Sequence, residues 1–388
     1  MNAFFYLKLV ALVALNLCQI LHVNVKYDNS CVASVATMIL IPNLTNHVIK
    51  LLSKRKQCNI IGAKSYYSTK SYKLLFFGSD SIALSSLRKI NELRKKEKHL
   101  INRLDLVTTD SKHKTDIIKY AQAEDIKTIT WPLHSLPAEE YDMGLIVAFG
   151  HLIKEDLLKK FPLGMVNVHP SLLPRWRGAA PIIHTLLHGD SVTGVTLMKI
   201  KADIFDVGEI ISQVKVPVSK DVRLPELTEE LSKIGADMLV DCIRTLPTSL
   251  TSTQPQSSEG VTYAKKINKS ISEVRWPQMT AIDVYNLYRA IYGVYPLITT
   301  FQNKKMKLFD AFLHNTEEIE QRSKPIGSLQ YCEKTKAIRI LCKDLRYIHF
   351  RHVRIIGKRQ ISALDFYNGY IKNVPVENRD FTVQSIKC

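Results

Sequence analysis

The sequence predicts an α/β protein: a doubly wound, mostly parallel sheet followed by a small C-terminal β-barrel of the OB-like kind. Three observations carry this. From Lys73 to Leu246 short apolar runs alternate with segments of helical periodicity, the pattern of strands joined by crossover helices. The first apolar run ends in a glycine turn, Gly78-Ser79-Asp80, ahead of a helix, which is how a doubly wound sheet opens. Beyond residue 262 the pattern changes to short strands with turns between them, the mark of a small barrel.

Taken in order, Leu74–Phe77 is the opening strand, and Leu84, Leu87, Ile90 and Leu93 recur at helical spacing. Further strands are expected over Leu104–Thr108, Thr128–Trp131, Leu145–Phe149, Met165–Val168 and Val195–Ile200. Ile210–Val218 alternates more cleanly, as an antiparallel edge does. Pro225–Leu246 reads as a helix with Leu227, Leu231, Ile234, Met238, Leu239 and Ile243 on one face. Residues 247–262 open with a stretch rich in Ser, Thr, Pro and Gln and read as an interdomain linker. A helix over Thr280–Val294 follows, then strands over Lys305–Leu313, Ser328–Tyr331, Ala337–Cys342 and Tyr347–Ile355, and a helix over Ser362–Tyr370. The expected organisation is a leader (1–72), a catalytic-type α/β domain (73–246), the linker (247–262) and a C-terminal module (263–388).

The charge is unevenly placed. Of a net +18, residues 74–262 contribute almost nothing, with 23 Lys/Arg against 24 acids, whereas residues 263–388 carry 22 against 11. A neutral body with a basic appendage points to a polyanionic partner. The seven cysteines show no C-x-x-C pair, so neither a disulfide framework nor a metal site is expected. No G-x-G-x-x-G follows the first strand, so a dinucleotide is not indicated.

The N-terminal region gives two signals. Ala3–Val23 is almost wholly apolar, as in a secretory signal or anchor. Met38–Lys73 holds no acid, several Lys and Arg, and a hydroxyl-rich end at Ser65–Thr69, the composition of a mitochondrial transit segment. The second reading is preferred because the chemistry that the resemblance below implies is organellar; the mitochondrial matrix is then the expected destination, with no stable membrane association of the mature chain.

The densest chemical signal is NVHPSLLPRWRGAAPI, residues 167–182. Asn167 and His169 are two apart at the end of an apolar run, which on a strand points both side chains to one face. The C-terminal end of a parallel strand is where open α/β sheets bind ligands. An amide N–H and an imidazole suit acyl transfer, in which an oxyanion develops and protons must move. Such a histidine needs an acid beside it, and Asp203 and Asp206 both follow within reach along the chain. The residues alone describe an α/β transferase or hydrolase with an Asn–His–Asp site.

The same run resembles the signature of the methionyl-tRNA formyltransferase family. The resemblance extends through His188-Gly189-Asp190, Thr193–Met198 and Phe205-Asp206-Val207-Gly208, to Leu75–Ser79 and Val147–Gly150 upstream, and to Tyr263–Ile267, Arg289-Ala290 and Tyr295-Pro296 downstream. It covers roughly residues 72–372. The resemblance implies formyl transfer from 10-formyltetrahydrofolate to the amine of initiator methionyl-tRNA for organellar translation; a monomer without a metal is expected. It implies Asn167, His169 and Asp206 as the catalytic trio, Asp203 remaining a rival because the run before F-D-V-G is one residue longer than in bacterial members. Val147, Ala148 and Gly150 would flank the pterin, and Ser171, Leu172, Leu173 and Pro174 would line the folate pocket. Lys112, Lys114, Lys265, Lys266, Lys269, Arg351 and Arg354, with Lys358 and Arg359, would meet tRNA phosphates. The segment Thr108–Lys114 is shorter than the basic loop of bacterial members. Formyl transfer to a small amine, hydrolysis of formyl-folate, and an RNA-binding protein with an inactive enzyme domain are the competing readings.

Overall fold

A computed structural model describes residues 71–109, 115–133, 135–314, 324–375 and 378–381. The leader up to residue 70, and Lys112 and Lys114, lie outside the described residues.

The first sheet is built from β1 (Tyr72–Phe77), β2 (Ile101–Thr109), β3 (Thr128–Trp131), β4 (Met143–Val147), β5 (Met165–His169), β7 (Val192–Lys199) and β8 (Ile210–Pro217), with the two-residue strand β6 (Arg177–Gly178) outside it. Its order is β3-β2-β1-β4-β5-β7-β8. The pairs up to β4–β5 are parallel, and β7 and β8 complete the sheet antiparallel. The central strand shows why its sequence is apolar without a break. Leu74 and Phe76 join the core under α1 (Ser81–Lys96) and α5 (Leu224–Arg244), while Leu75 and Phe77 join the opposite core with Val107, Ile146 and Phe149. All four are fully buried, each worth about 1.5–3 kcal/mol relative to exposure. Between these two helices the chain forms α2 (Asp116–Ala123), α3 (Glu155–Leu158) and α4 (Pro181–Leu187).

The strand order creates the crevice. From β1 the chain moves outward to β2 and β3, then returns to β4 on the other side of β1. The connections leaving the C-terminal ends of β1 and β4 therefore run to opposite sides, at the position where open α/β sheets bind ligands. Asp80 closes β1 and caps α1, accepting N–H bonds from Ile82 (2.9 Å) and Ala83 (3.1 Å).

The second sheet follows a short strand β9 (Tyr263–Ala264) and α6 (Ala281–Ala290). It contains β10 (Leu297–Phe301), β11 (Lys304–Leu313), β12 (Leu329–Cys332), β13 (Ala337–Leu341), β14 (Tyr347–Ile355) and β15 (Ile361–Ser362), all antiparallel. Its order is β10-β11-β14-β13-β12, with β15 on β14. Phe381 bridges Phe301 at one edge and Asp380 bridges Ser328 at the other, so this strip joins the two edges. The sequence reading omits β10. That strand is only five residues long and turns into β11 through Gln302-Asn303, both with positive φ, a tight hairpin of the kind asparagine permits. The helix expected over Thr280–Val294 ends at Ala290, and that over Ser362–Tyr370 is a four-residue α-turn, α7 (Ala363–Phe366), followed by a π-turn.

Helix α6 ties the second sheet to the first. The buried Arg289 guanidinium donates to Asn286 Oδ1 and the carbonyls of Ser219 and Val222, and Tyr285 donates to Asp221 at 2.8 Å.

Candidate active site

Asn167 and His169 emerge together at the end of β5, Asn167 paired with Ile146 of β4 on one side and His169 with Thr196 of β7 on the other. Both are buried, at 9% and 4% exposure. Asp206 reaches them from the loop between β7 and β8 and is itself 8% exposed. Its Oδ1 accepts from Asn167 Nδ2 at 3.3 Å and lies 3.4 Å from His169 Nδ1. Its Oδ2 accepts the Gly178 N–H at 2.9 Å. The rival Asp203 is exposed, and only Asp206 enters the cluster. The turn depends on its glycine: a Cβ on Gly208 would lie 1.7 Å from the Lys199 carbonyl oxygen. Without a side chain there, the loop passes close to β7 and swings Asp206 inward.

The electrostatics follow. Burial pushes the Asp206 carboxyl up, but His169, the Gly178 N–H and Arg177 outweigh it and hold the pKa below the ordinary 3.8. The carboxylate is therefore charged at neutral pH. His169 Nε2 lies 2.9 Å from the Trp176 carbonyl oxygen. Both ring nitrogens thus face acceptors, an arrangement the imidazolium satisfies twice over and the neutral ring only once. Asn167 has a second N–H to offer a ligand.

The trio opens into a cavity of about 740 Å³, a size suited to a drug-sized ligand. Its walls include the N-cap and start of α1 (Asp80, Ser81), the end of β4 and the turn after it (Ile146–Gly150), the end of β5, and a patch of α5. Val147, Ala148 and Gly150 all line it. Ala148 and Gly150 have positive φ, and a Cβ on Gly150 would meet no atom within 4 Å. Ser171, Leu172, Leu173 and Pro174 are not in the wall, whereas Pro170 is. The fully buried Ser171 donates its hydroxyl to the Arg175 carbonyl, its own carbonyl accepts from Thr196, and the Leu173 N–H donates to Thr196 Oγ1. This loop supports the site from behind.

Two matches decide the family. Residues 73–243 match the formyl transferase family model, and residues 266–371 match that of the formyl transferase C-terminal domain. Over 325 residues the chain is 40% identical to the human protein named mitochondrial methionyl-tRNA formyltransferase, covering 82% of each. The chain belongs to the methionyl-tRNA formyltransferase family. A bacterial protein of that name, from Roseiflexus castenholzii, is 33% identical over 229 residues, 59% of this chain and 70% of that one. Among solved structures, the sugar 3N-formyltransferase WlaRD aligns at TM-score 0.56 and 20% identity, over 75% of this chain and 100% of that one. An N-formyltransferase from Helicobacter canadensis aligns at 0.54 and 21%, over 73% and 99%. At such identities the likeness is one of fold.

In this family member the basic residues picked out by sequence fall into two groups. Lys265, Lys266 and Lys269 are exposed and follow β9, and the Lys265 carbonyl lies 3.0 Å from His184 Nε2 on α4. Arg351 and Arg354 are on β14, their guanidinium groups over the rings of Phe312 (4.5 Å) and Phe309 (5.6 Å). A second groove, of about 880 Å³, runs between the end of α4, α6 and the second sheet. Its lining includes Lys220, Lys334, Arg339 and Arg346, which no sequence pattern marks because they come from separate segments. Also unmarked is Ser86 on α1, 1% exposed, in the cavity wall and with no hydrogen-bond partner for its hydroxyl among the described residues.

Proposed function

We propose that the chain transfers a formyl group from a formyl-folate to the amino group of methionyl-tRNA, with 10-formyltetrahydrofolate as donor, initiator methionyl-tRNA as acceptor and the mitochondrial matrix as the compartment. The observation that carries the reading is the convergence of Asn167, His169 and Asp206 on the cavity at the β1/β4 switch point. The cavity suits the donor: it offers apolar walls for a flat heterocycle and, at the half-buried Ala148 and the exposed Gly150, a turn for its polar edge.

When bound, the donor supplies an activated formyl carbon. The amine forms a bond to that carbon, the bond from the carbon to the folate nitrogen breaks, and one proton passes from the amine to the departing nitrogen. Asn167 contributes an N–H donor for the formyl oxygen as charge collects there. His169, in its protonated form, adds a positive charge at the same place. Asp206 balances that charge, fixes the ring and gives the amine proton an acceptor within the cluster. The surplus of Lys and Arg after residue 262 supports tRNA as the carrier of the amine, with Lys265, Lys266, Lys269, Arg351 and Arg354 as phosphate contacts. Initial rates with formyl-folate and either charged tRNA or methionine methyl ester test this. Transfer to the tRNA is expected, falling steeply with salt. Equal transfer to the free ester, indifferent to salt, would turn the reading towards a small-molecule transferase.

A further inference from the structure

The two oxygen atoms that His169 faces belong to separate loops, and both loops are fastened by one stretch of chain. Asp206 sits in the β7–β8 loop, and the Trp176 carbonyl in the turn after β5. Both residues have positive φ, 55° and 64°, a conformation that persists in non-glycine residues only when the surroundings enforce it. The enforcing contacts come from residues 254–264, the segment that the composition presents as a linker.

Gln256 spends its entire amide on this. Its Nε2 donates to the Asp206 carbonyl at 2.9 Å and to the Gly208 carbonyl at 2.8 Å. Its Oε1 accepts from Arg177 Nε at 3.2 Å and Nη2 at 2.7 Å. One side chain thus spans the carboxylate loop and joins it to the residue next to Gly178, whose N–H holds Asp206 Oδ2. Thr262 does the same for the other loop. Its Oγ1 accepts the Trp176 N–H and its carbonyl accepts the Arg177 N–H, both at 2.9 Å. Pairing of β6 with β9 continues the contact, so close that a Cβ on Gly178 would lie 2.7 Å from the Ala264 oxygen. Gln254 adds a two-way backbone bridge to Ile210 at the start of β8.

We propose that Gln256 and Thr262 are positioning residues of the active site: the segment joining the two sheets holds both partners of His169 in place. The inference rests on the formyl-transfer reading of the same site. It predicts that loosening either contact moves the acceptors of His169 while leaving both substrate sites intact, so kcat falls and KM does not follow.

The test uses the full-length protein. Gln256→Glu keeps the shape and the Arg177 partner but loses both N–H donors. Thr262→Val removes the acceptor for Trp176, and Thr262→Ser restores it. Expected are about ten- to hundredfold falls in kcat for Gln256→Glu and Thr262→Val, the scale of an ångström-sized misplacement, with KM for formyl-folate and for methionyl-tRNA little changed and Thr262→Ser close to wild type. Wild-type kcat in Gln256→Glu and Thr262→Val overturns the inference, as does Thr262→Ser falling alongside Thr262→Val, or a loss confined to KM. Should Gln256→Glu not fold, the valine–serine comparison decides alone. His169→Ala, assayed in parallel, separates the two ideas. If it is inactive while the positioning variants are normal, only this inference fails; if it is active, the site reading itself fails.

Discussion

Replacing Asp206 by asparagine keeps the size of the side chain and removes its charge. The carboxylate is buried, 3.4 Å from His169 Nδ1 and bonded to Asn167 and the Gly178 N–H. A full charge pair at that distance interacts by about 5 kcal/mol at an effective dielectric of 20. Burial of both groups cancels much of this, and a charge-assisted hydrogen bond retains about 1.5–3 kcal/mol net. The amide of the variant can also accept from only one side and must turn an N–H towards His169 or Gly178. If this stabilisation operates in the transition state, kcat falls by about ten- to a hundredfold, since 1.4 kcal/mol is a factor of ten. The assay is steady-state formylation of charged tRNA with the donor saturating. Asp203→Asn serves as the comparison, because Asp203 is exposed, and should stay within about threefold of wild type, as surface changes do. Wild-type turnover in Asp206→Asn, or a larger loss in Asp203→Asn, would refute the geometry of the cluster.

Gly208→Ala should be far more damaging than an ordinary surface change, because the new Cβ would lie 1.7 Å from the Lys199 oxygen; thermal unfolding should show a lower Tm along with lost activity. The depressed Asp206 pKa makes a statement about acid stability. Its contribution is complete above the ordinary value of 3.8 and is lost as pH falls through the lower folded value, so the Tm difference between wild type and Asp206→Asn should be level at neutral pH and shrink in strong acid. Ser86→Ala removes a buried hydroxyl that has no partner among the described residues, so stability should hold or rise by up to about 1 kcal/mol. If the hydroxyl bonds to the donor, KM for formyl-folate rises several-fold in the same variant, and an unchanged KM counts against a role in the cavity.

The first sheet is legible in the sequence because its central strands are mainly apolar runs closed by a turn or a polar residue, while its edge strands β3 and β8 alternate. Asn167 and His169 are legible as a pair because a spacing of two on a strand has one geometric meaning. The choice between Asp203 and Asp206 is not, since it depends on how the β7–β8 loop crosses β7, and that is decided by a close approach at Gly208. Ser171–Pro174 look like ligand-contacting residues because they follow the catalytic strand directly, yet they are absent from the cavity wall, with Ser171 and Leu173 buried and bonded to Arg175 and Thr196 and Leu172 and Pro174 half-buried. Gln256 and Thr262 are hidden for a different reason. A stretch rich in Ser, Thr, Pro and Gln has the composition of a tether, and composition carries no information on which polar groups find partners 50 or 86 residues away. The groove lined by Lys220, Lys334, Arg339 and Arg346 is likewise a product of folding alone.

The central claim is that formyl transfer takes place against Asn167 and His169, and turnover by the two single variants tests it most directly. Asn167→Ala and His169→Ala, each purified folded and still able to bind tRNA, should lose about two orders of magnitude or more in kcat. Near-normal formylation by both would place the chemistry elsewhere in the molecule.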